Sequence, residues 1–337
     1  MKKIVFLGLA MVWMIGASPD GLAQTIVCKI GDSTPKTYSY YPAFQIFEKE
    51  VEEKTGKKVD IQYFGEGVLG DQKTLVESCL MGAIQMVVIP STISQNYVPE
   101  HRLFTLPFLW TNYDLLRRFC DSPEGMALGD RWSKHGMKIL AYGHIGWIGI
   151  QNSKREVRTP SDMKGLKIRT MQDSVLIDTM NAIGGMGVAM GIPELYSAVQ
   201  QGVIDGVSTS AQFLYSLKIH EVAKQYIHLC LQTSPALVLI NLKFWNSLPP
   251  EIQKVFLEAS KNWGKNNDAY YVDNSQKTSD DNIMGLFKEL GVKIVEPSKS
   301  ETEAFRKLTI PVYKKYRSQI GPDVVDRVAR YTGYKLE

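Results

Sequence analysis

The chain carries one α/β unit twice, with the two copies 120 positions apart. A helix, a glycine stop and an almost continuously apolar strand are predicted over residues 70–89. A helix, a glycine stop and a strand follow again over residues 193–207, and Gly82 of the first copy matches Gly202 of the second. The apolar strand is typical of a sheet that helices cover on both faces. The repeat therefore predicts two similar α/β lobes.

Two strand-rich segments and a long helical stretch connect the predicted lobes. Residues 136–150 suit a strand that crosses from lobe I to lobe II, and residues 232–241 suit the return crossing. Helical spacing continues over residues 250–290, with breaks near Asp268 and Asp280. Because no flexible linker separates the lobes, these connections imply a hinge and a cleft. The predicted division is lobe I, residues 24–145 plus about 234–273; lobe II, about 146–233 plus 274–327; and a C-terminal tail, 328–337.

The N-terminus has the pattern of a secretory signal peptide. Two lysines follow Met1, an apolar run extends to Gly16, and residues 21–23 fit a small-x-small cleavage site. The apolar run is too short to cross a bilayer. We therefore expect residues 1–23 to be removed, with cleavage after Ala17 as the alternative, and the mature chain to be a soluble exported protein.

Charge and cysteine spacing exclude several classes of protein. The 39 basic and 35 acidic residues give a net charge of +4 and form no basic stripe for nucleic acid. No later segment approaches 18 consecutive apolar residues, so no membrane span is predicted. The four cysteines lack the C-x-x-C spacing of zinc and thioredoxin-type sites. Disulfide pairing and free buried thiols are both open for Cys28, Cys79, Cys120 and Cys230.

The sequence lacks the motifs of common enzyme classes. It has no G-x-S-x-G nucleophile elbow, no H-E-x-x-H zinc helix and no P-loop. The glycine-rich run at 184–187 predicts a turn into a strand, because Met190 stands where a dinucleotide fingerprint needs a small residue. The five histidines lack metal-ligand spacing. These observations predict a binding protein with no cofactor, no metal and no catalytic group.

Arg169 is the strongest candidate for contact with a small anion. Residues 159–162 form a capped turn, Gly165 stops it, and a short strand follows with Arg169 at its end. Ligands of open α/β sheets bind where strand ends meet a crevice. An arginine there can hold a carboxylate through two parallel hydrogen bonds. The alternative is a surface ion pair with Asp162 or Asp173.

Hydroxyl and aromatic side chains follow several predicted strands. Ser91-Thr92 follow the apolar strand of lobe I, and Ser208-Thr209-Ser210 follow its counterpart, so the repeat register places both runs at the same crevice. Their hydroxyls suit a hydroxylated or carboxylated solute, although ordinary loop chemistry explains them equally well. Aromatic residues near strand-to-loop junctions either cover an apolar part of a ligand or belong to the core; they are Tyr38, Tyr41, Trp147 and Phe213.

The order of the motifs along the mature chain resembles one known family, the DctP-type extracytoplasmic solute receptors of TRAP transporters. The motifs are Leu69-Gly70 with Gly82, Leu106-Pro107-Phe108, Pro160 to Arg169, Glu194 to Gly206, Glu221 to Lys224, and Phe244-Trp245 with Leu248-Pro249. The resemblance implies an α/β, two-lobed periplasmic-binding-protein fold, each lobe a mostly parallel sheet flanked by helices, joined by crossing strands and a long helix. It also implies a periplasmic, non-enzymatic receptor that passes an organic acid to the small and large membrane subunits.

The resemblance assigns roles to individual residues. Arg169 matches the arginine that pairs with the solute carboxylate, and Gln172 matches a frequent polar contact. Thr209 matches a cleft position that Asn or Trp usually holds. Ser91-Thr92 match the cleft loop of lobe I, and Ile192 stands where some members carry a phenylalanine that packs on the ligand.

Two departures from the family pattern bear on the solute. Many members carry a second arginine after a glycine and an aromatic residue, where this chain has Ile148. The common Asp-Gly-Gln-Glu-Asn-Pro run is Asp-Gly-Val-Ser-Thr-Ser here, at residues 205–210. Without a second arginine, a second buried carboxylate lacks its partner. We expect a monocarboxylate whose apolar or hydroxylated remainder contacts Trp147 and Ile148; a C4-dicarboxylate receptor, an ABC-type solute-binding protein and an exported enzyme are the alternatives.

Overall fold

The computed structural model describes residues 25–273 and 279–335, so the predicted signal peptide, residues 1–23, lies outside the described residues. The strands are β1 Ile26–Gly31, β2 Val59–Phe64, β3 Met86–Pro90, β4 Met137–Gly143, β5 Ile148–Asn152, β6 Lys167–Thr170, β7 Met186–Ala189, β8 Gly206–Ser210, β9 Gln225–Gln232, β10 Ala236–Asn241 and β11 Lys293–Val295. The helices are α1 Tyr40–Lys54, α2 Gln72–Met81, α3 Ser91–Ser94, α4 Tyr113–Cys120, α5 Pro123–Gly129, α6 Ser174–Ala182, α7 Leu195–Gln200, α8 Ala211–Ser216, α9 Ile219–Val222, α10 Leu242–Ser247, α11 Pro250–Val272, α12 Asp280–Glu289, α13 Lys299–Ile320 and α14 Pro322–Thr332. Shorter 3-10 turns span Pro99–Thr105, Asp130–His135 and Pro160–Met163.

Each lobe is built on one sheet of the described strands. The lobe I sheet has the order β2-β1-β3-β10-β4, and the lobe II sheet has the order β11-β9-β5-β8-β6-β7. Strands β1, β2 and β3 pair in parallel, as do β6, β7 and β8. The strands that cross between the lobes pair antiparallel with β3 and β8. The predicted two-lobed α/β fold is confirmed, with sheets that are mixed because each takes in crossing strands.

The repeated unit is confirmed in both lobes. Asp71 caps α2 by accepting a hydrogen bond from the Thr74 backbone N–H at 2.9 Å, and Gly82 ends the helix at a φ of 80°. In lobe II, Gly202 follows α7 at a φ of 72°. A left-handed φ costs residues with a Cβ about 1–2 kcal/mol, which explains glycine at both stops. Strands β3 and β8 then begin 120 positions apart, as the register predicts.

The first predicted crossing, residues 136–150, is two strands rather than one. β4 ends at Gly143 in the lobe I sheet, and β5 begins at Ile148 in the lobe II sheet. Between them Gly146 has a φ of 83°, which interrupts an extended strand. The predicted return crossing is confirmed, because β9 lies in the lobe II sheet and β10 in the lobe I sheet, with residues 233–235 between them.

The C-terminal helices depart most from the predicted division of the chain. α13 begins against the lobe II core, where Phe305 is buried, but its later residue Tyr313 belongs to the lobe I core. α14 occupies part of the predicted tail, and its Val325 and Val328 also pack into the lobe I core. An amphipathic helix gains stability by burying such residues, so this segment folds onto lobe I. α11 likewise continues through Asp268 without the predicted break.

Aromatic side chains fill the core on both faces of the lobe I sheet. Phe104 and Trp132 belong to the cluster on one face, and Phe44 and Trp263 belong to the cluster on the other. Helices α1 and α11 pack together over the second face. This packing makes lobe I a rigid scaffold that positions the loops after its strands. None of the helices in the described ranges has both the length and the apolar character that a bilayer crossing requires.

The cysteines, whose state the sequence left open, are free thiols. Cys28, Cys79 and Cys120 are buried and Cys230 is half-buried. Burial raises the pKa of the Cys79 and Cys230 thiols to about 12. Because the thiolate is the reactive form, these thiols are protected from oxidation and exchange at neutral pH.

Candidate ligand-binding site

A cavity of about 410 Å³ lies between the lobes, at the carboxyl ends of the parallel strands. Lobe I contributes the segments after β1, β2 and β3, and lobe II contributes those after β6, β7 and β8. This is the edge at which open α/β sheets bind ligands. The lining residues are Ser33, Pro35, Tyr38, Tyr40, Glu66, Gly67, Gly70, Asp71, Gln72, Lys73, Pro90, Ile93 and Ile145 of lobe I, and Arg169, Met171, Gln172, Met190, Gly191, Ile192, Pro193, Thr209 and Phe213 of lobe II.

Local sequence brings Arg169 to this edge. Thr159 and Asp162 form the predicted capping box, and Gly165 turns the chain at a φ of 77° into β6. β6 lies between β7 and β8 in the lobe II sheet. The Arg169 guanidinium donates from Nε to the Met190 carbonyl at 2.9 Å. Since Met190 directly follows β7, this bond fixes the guanidinium beside the cavity.

Arg169 is a buried cation that forms no ion pair with a carboxylate of the described residues. Only 3% of the residue is exposed, and its Nη1 has no hydrogen-bond partner. Burial lowers the pKa of the guanidinium to about 10, still far above neutral pH, so the group stays charged. Buried charges are normally paired. The guanidinium is therefore available to an anion that enters the cavity.

The alternative partners of Arg169 are committed elsewhere. Asp162 accepts hydrogen bonds from the backbone N–H groups of Arg158 at 3.0 Å and Thr159 at 2.8 Å. Asp173 caps α6 by accepting from the N–H groups of Val175 at 2.6 Å and Leu176 at 3.1 Å. The surface ion pair that the spacing also allowed is therefore not formed with either carboxylate.

Aromatic rings from both lobes meet at the cavity. The Tyr38 ring lies edge-on to the Tyr40 ring at 4.9 Å and to the Phe213 ring at 5.2 Å, measured between centroids. The Tyr38 hydroxyl donates to the Ile145 carbonyl at 3.3 Å and accepts from the Tyr271 hydroxyl at 2.6 Å. The sequence left open whether Tyr38 and Phe213 belong to the core or to the ligand site. In the structure they belong both to the core and to the cavity wall.

Three further candidates lie on the lining. Gln172 is exposed in the bend after β6, and Ile192 is half-buried in the loop after β7. Thr209 is buried near the end of β8, opposite Gly149 of β5. Their positions are compatible with the roles that the resemblance implies, and those roles remain proposals.

Ser91 and Thr92 are not on the cavity lining, although the Thr92 hydroxyl contacts the sulfur of Met171, which is, at 3.6 Å. They begin α3, where the Ser91 hydroxyl lies 2.8 Å from the Ser234 hydroxyl. The Thr92 backbone N–H donates to the same Ser234 hydroxyl at 3.3 Å. They thereby attach the return crossing to lobe I. Pro90 and Ile93 line the cavity instead, because residues three apart share one face of a helical turn.

Ser208, Trp147 and Ile148 are also absent from the lining. Ser208 precedes Thr209 in β8, and successive side chains of a strand point to opposite faces. The Trp147 ring packs on Tyr113 with a centroid distance of 5.1 Å, and Ile148 is fully buried. The left-handed turn at the preceding glycine separates Trp147 from the cavity. Trp147 and Ile148 therefore do not line this cavity, and their contact with the solute remainder stays a prediction.

Sequence reasoning missed Ile145, Met171 and Met190, which line the cavity. Met190 directly follows β7, so the tendency of ligands to bind at strand ends is the signal that identifies it. Among the described residues, no group of three His, Cys, Asp or Glu side chains is arranged to hold a metal ion. The chemistry that the arrangement offers is the capture of a small anion between two lobes.

These features define a two-lobed α/β receptor for a small anionic solute, and comparisons with known proteins identify its family. A family model described as DctP, bacterial extracellular solute-binding protein family 7, matches residues 30–319. A solute-binding protein of Verminephrobacter eiseniae (strain EF01-2) is 30% identical over 311 residues, which are 91% of this chain and 89% of the relative. The chain therefore belongs to the DctP family of TRAP transporter solute receptors.

Solved structures agree with the family assignment. A TRAP periplasmic solute-binding protein of Pseudomonas putida F1 with bound D-glucuronate superposes with a TM-score of 0.83 at 28% identity, over 90% of this chain and 96% of that chain. One of Polaromonas sp. JS666 bound to D-erythronate gives a TM-score of 0.84 at 28% identity, over 90% and 98%. The proteins of this family that the chain resembles are transport receptors rather than enzymes.

Proposed function

We propose that this protein is the periplasmic receptor of a TRAP transporter and captures an organic acid through its carboxylate. The single observation that carries the proposal is the buried guanidinium of Arg169, which lines the interlobe cavity and forms no ion pair with any described carboxylate. A carboxylate satisfies such a group with two parallel hydrogen bonds. The acids D-glucuronate and D-erythronate, bound by solved relatives, support the same class of solute.

We further propose that the solute has one carboxylate. Arg169 is the buried cation of the lining, whereas Lys73 is exposed at the rim and lies 4.0 Å from Glu77. A second carboxylate deep in the cavity has no comparable partner, and an unpaired buried charge is costly. A C4-dicarboxylate receptor is the competing proposal, and succinate distinguishes the two.

The binding test compares Arg169→Met with Arg118→Met. A thermal-shift screen of a few hundred organic acids first selects a ligand, which at about 100 times its Kd adds about 2.7 kcal/mol of stability. Arg169→Met is expected to weaken binding of that ligand by on the order of 2–5 kcal/mol, which raises its Kd roughly 30- to 4,000-fold. Arg118 is exposed on α4, away from the lining, so its variant binds normally.

The Arg169→Met variant should remain folded, because methionine replaces a lone buried charge by an apolar chain. We expect its ligand-free unfolding free energy to stay within about 1 kcal/mol of the parent, the approximate worth of the lost hydrogen bond to Met190. Normal affinity in this folded variant, or a screen without any binding acid, contradicts the proposal.

The proposed membrane partners are the small and large TRAP subunits, with delivery coupled to an ion gradient. Family membership and the signal-peptide pattern support this assignment. Proteoliposomes that contain the two membrane subunits of the same genome test it. Uptake that needs the receptor and an ion gradient, without ATP, is expected; uptake that requires ATP and an ATPase identifies an ABC system instead.

A further inference from the structure

Polar and apolar side chains are segregated within the cavity. The charged groups of its lobe I loops, Glu66, Asp71 and Lys73, are exposed and stand at the rim. Buried side chains make the deeper wall, namely Tyr38, Tyr40, Ile93, Ile145 and Phe213. Half-buried side chains of lobe II extend that wall, namely Met171, Met190 and Ile192. A solute held at the buried arginine therefore places its remainder among aromatic, aliphatic and thioether groups.

The described wall offers few hydrogen-bonding groups beside the arginine. The Tyr38 hydroxyl is already engaged by the Ile145 carbonyl and the Tyr271 hydroxyl. The other side-chain hydroxyls of the lining belong to Ser33, Tyr40 and Thr209. The lining also holds the Gln72 amide, which is half-buried, and the Gln172 amide, which is exposed, but no amide or carboxylate side chain in its described part is fully buried. Sites that recognise several hydroxyls need a matched donor or acceptor for each one.

We infer that the solute is a monocarboxylate with a compact apolar body, either aryl or branched aliphatic, rather than a polyhydroxylated acid. This inference rests on the proposed function and names the class of its solute. A buried hydroxyl without a partner weakens binding by about five- to 150-fold, so each extra hydroxyl counts against a polyol. An apolar body instead gains from burial, from edge contacts with the three rings and from the methionine sulfurs.

The carboxylate anchor and the wall around the remainder are separate parts of the site. The anchor lies on β6, whereas the wall comes mostly from the segments after β1, β3, β4, β7 and β8, and only Met171 of the wall directly follows β6. A relative at 28% identity can therefore share the anchor while its wall accepts D-glucuronate. Specificity is a difference in affinity between solutes, and the wall is where that difference arises here.

The test is calorimetric titration of the mature chain with acids that differ in the body attached to the carboxylate. Phenylacetate and 4-methyl-2-oxopentanoate represent the aryl and branched aliphatic bodies, D-glucuronate and D-erythronate the polyhydroxylated ones, and succinate the dicarboxylates. We expect phenylacetate or 4-methyl-2-oxopentanoate to bind at least about tenfold more tightly than D-glucuronate, D-erythronate and succinate. Tighter binding of D-glucuronate, D-erythronate or succinate overturns the inference, and if that binding needs Arg169 the proposed function stands.

A pair of matched variants tests the wall directly. Ile192→Asn changes a half-buried loop residue on the lining, and Leu308→Asn changes an exposed residue of α13 away from it. Ile192→Asn is expected to weaken binding of the apolar acid about fivefold or more without weakening binding of D-glucuronate. Leu308→Asn is expected to change the affinity for neither acid. Equal loss for both acids overturns the inference. If no carboxylate binds the folded parent chain, the proposed function itself fails.

Discussion

At the scale of single residues, the candidate anchor was accessible from sequence, but its state was not. The capped turn, the glycine and the short strand before Arg169 are local features, and they form as predicted. Whether its guanidinium pairs with Asp162 or Asp173 depends on contacts that the sequence does not order. Asp162 and the Oδ1 atom of Asp173 accept from N–H groups at turn and helix starts, and neither carboxylate forms an ion pair with the guanidinium.

Asp173 provides a pH-dependent test at the same scale. It is buried at the start of α6, and burial raises the pKa of its carboxyl to about 6, against an ordinary value near 3.9. The folded chain therefore holds this proton more tightly than the unfolded chain does. The contribution of the Asp173 carboxyl to the unfolding free energy therefore falls as the pH rises from about 4 to about 6. Above about pH 6 the full loss of stability has occurred.

Asp173→Asn removes this titration and keeps the cap, because asparagine is an equally good N-cap residue. Denaturant unfolding should show the variant more stable than the parent by on the order of 1–3 kcal/mol at pH 7, and nearly equal to it at pH 4. Asp71→Asn is the matched control, since Asp71 also caps a helix but hydrogen bonding lowers its pKa. A pH-independent difference for Asp173→Asn contradicts the argument.

At the scale of elements, the repeat was predicted correctly because it depends on local signals. Helix caps, glycine stops and apolar runs define α2, β3, α7 and β8. The crossing over residues 136–150 was predicted incorrectly because composition alone favours one long strand there. In a continuous strand Ile145 and Trp147 would share a face. The turn at Gly146 separates them, so Ile145 lines the cavity and Trp147 packs on Tyr113.

The close packing of Gly146, the turn glycine between β4 and β5, can be tested against a second left-handed glycine. Gly146 has a φ of 83°, and a Cβ there would lie 2.7 Å from the Ser210 Cβ. Gly136 has a φ of 86° and has no atom within 4 Å of such a Cβ. Gly136→Ala should cost only the backbone penalty of about 1–2 kcal/mol. Gly146→Ala should cost at least about 1 kcal/mol more because of the clash.

Unfolding free energies of the two alanine variants in the same buffer give the comparison. The difference between them isolates the packing at Gly146 from the conformational preference of glycine. Equal losses at the two positions would show that the Gly146 turn has room for a side chain, and the close packing inferred here would be wrong. A larger loss at Gly146 also predicts altered solute binding, because this turn sets how the lobes meet.

At the scale of the whole molecule, the lobes are joined by more than the two crossing strands. Helix α13 buries side chains in both cores. The Tyr113 hydroxyl of α4 donates to Asp280 of α12, and the Gln232 amide of β9 donates to the Thr105 carbonyl of lobe I. The sequence showed two lobes but not these contacts, because a helix that spans both cores has the same periodicity as one that packs on a single core.

This shared packing predicts that the ligand-free protein unfolds in one transition. Phe305 is fully buried where α13 meets lobe II, and Phe104 is fully buried in the lobe I core. Alanine at either position should cost about 3–5 kcal/mol, and it should lower the midpoint of the whole transition because α13 packs into both cores. Leu308→Ala, at an exposed position of the same helix, should change the midpoint little.

Scanning calorimetry measures the number of transitions and their midpoints, and a single unfolding unit gives a ratio of calorimetric to van't Hoff enthalpy near one. A thermogram that splits in two, with each substitution moving only its own half, would show that the lobes fold independently and that α13 does not couple them.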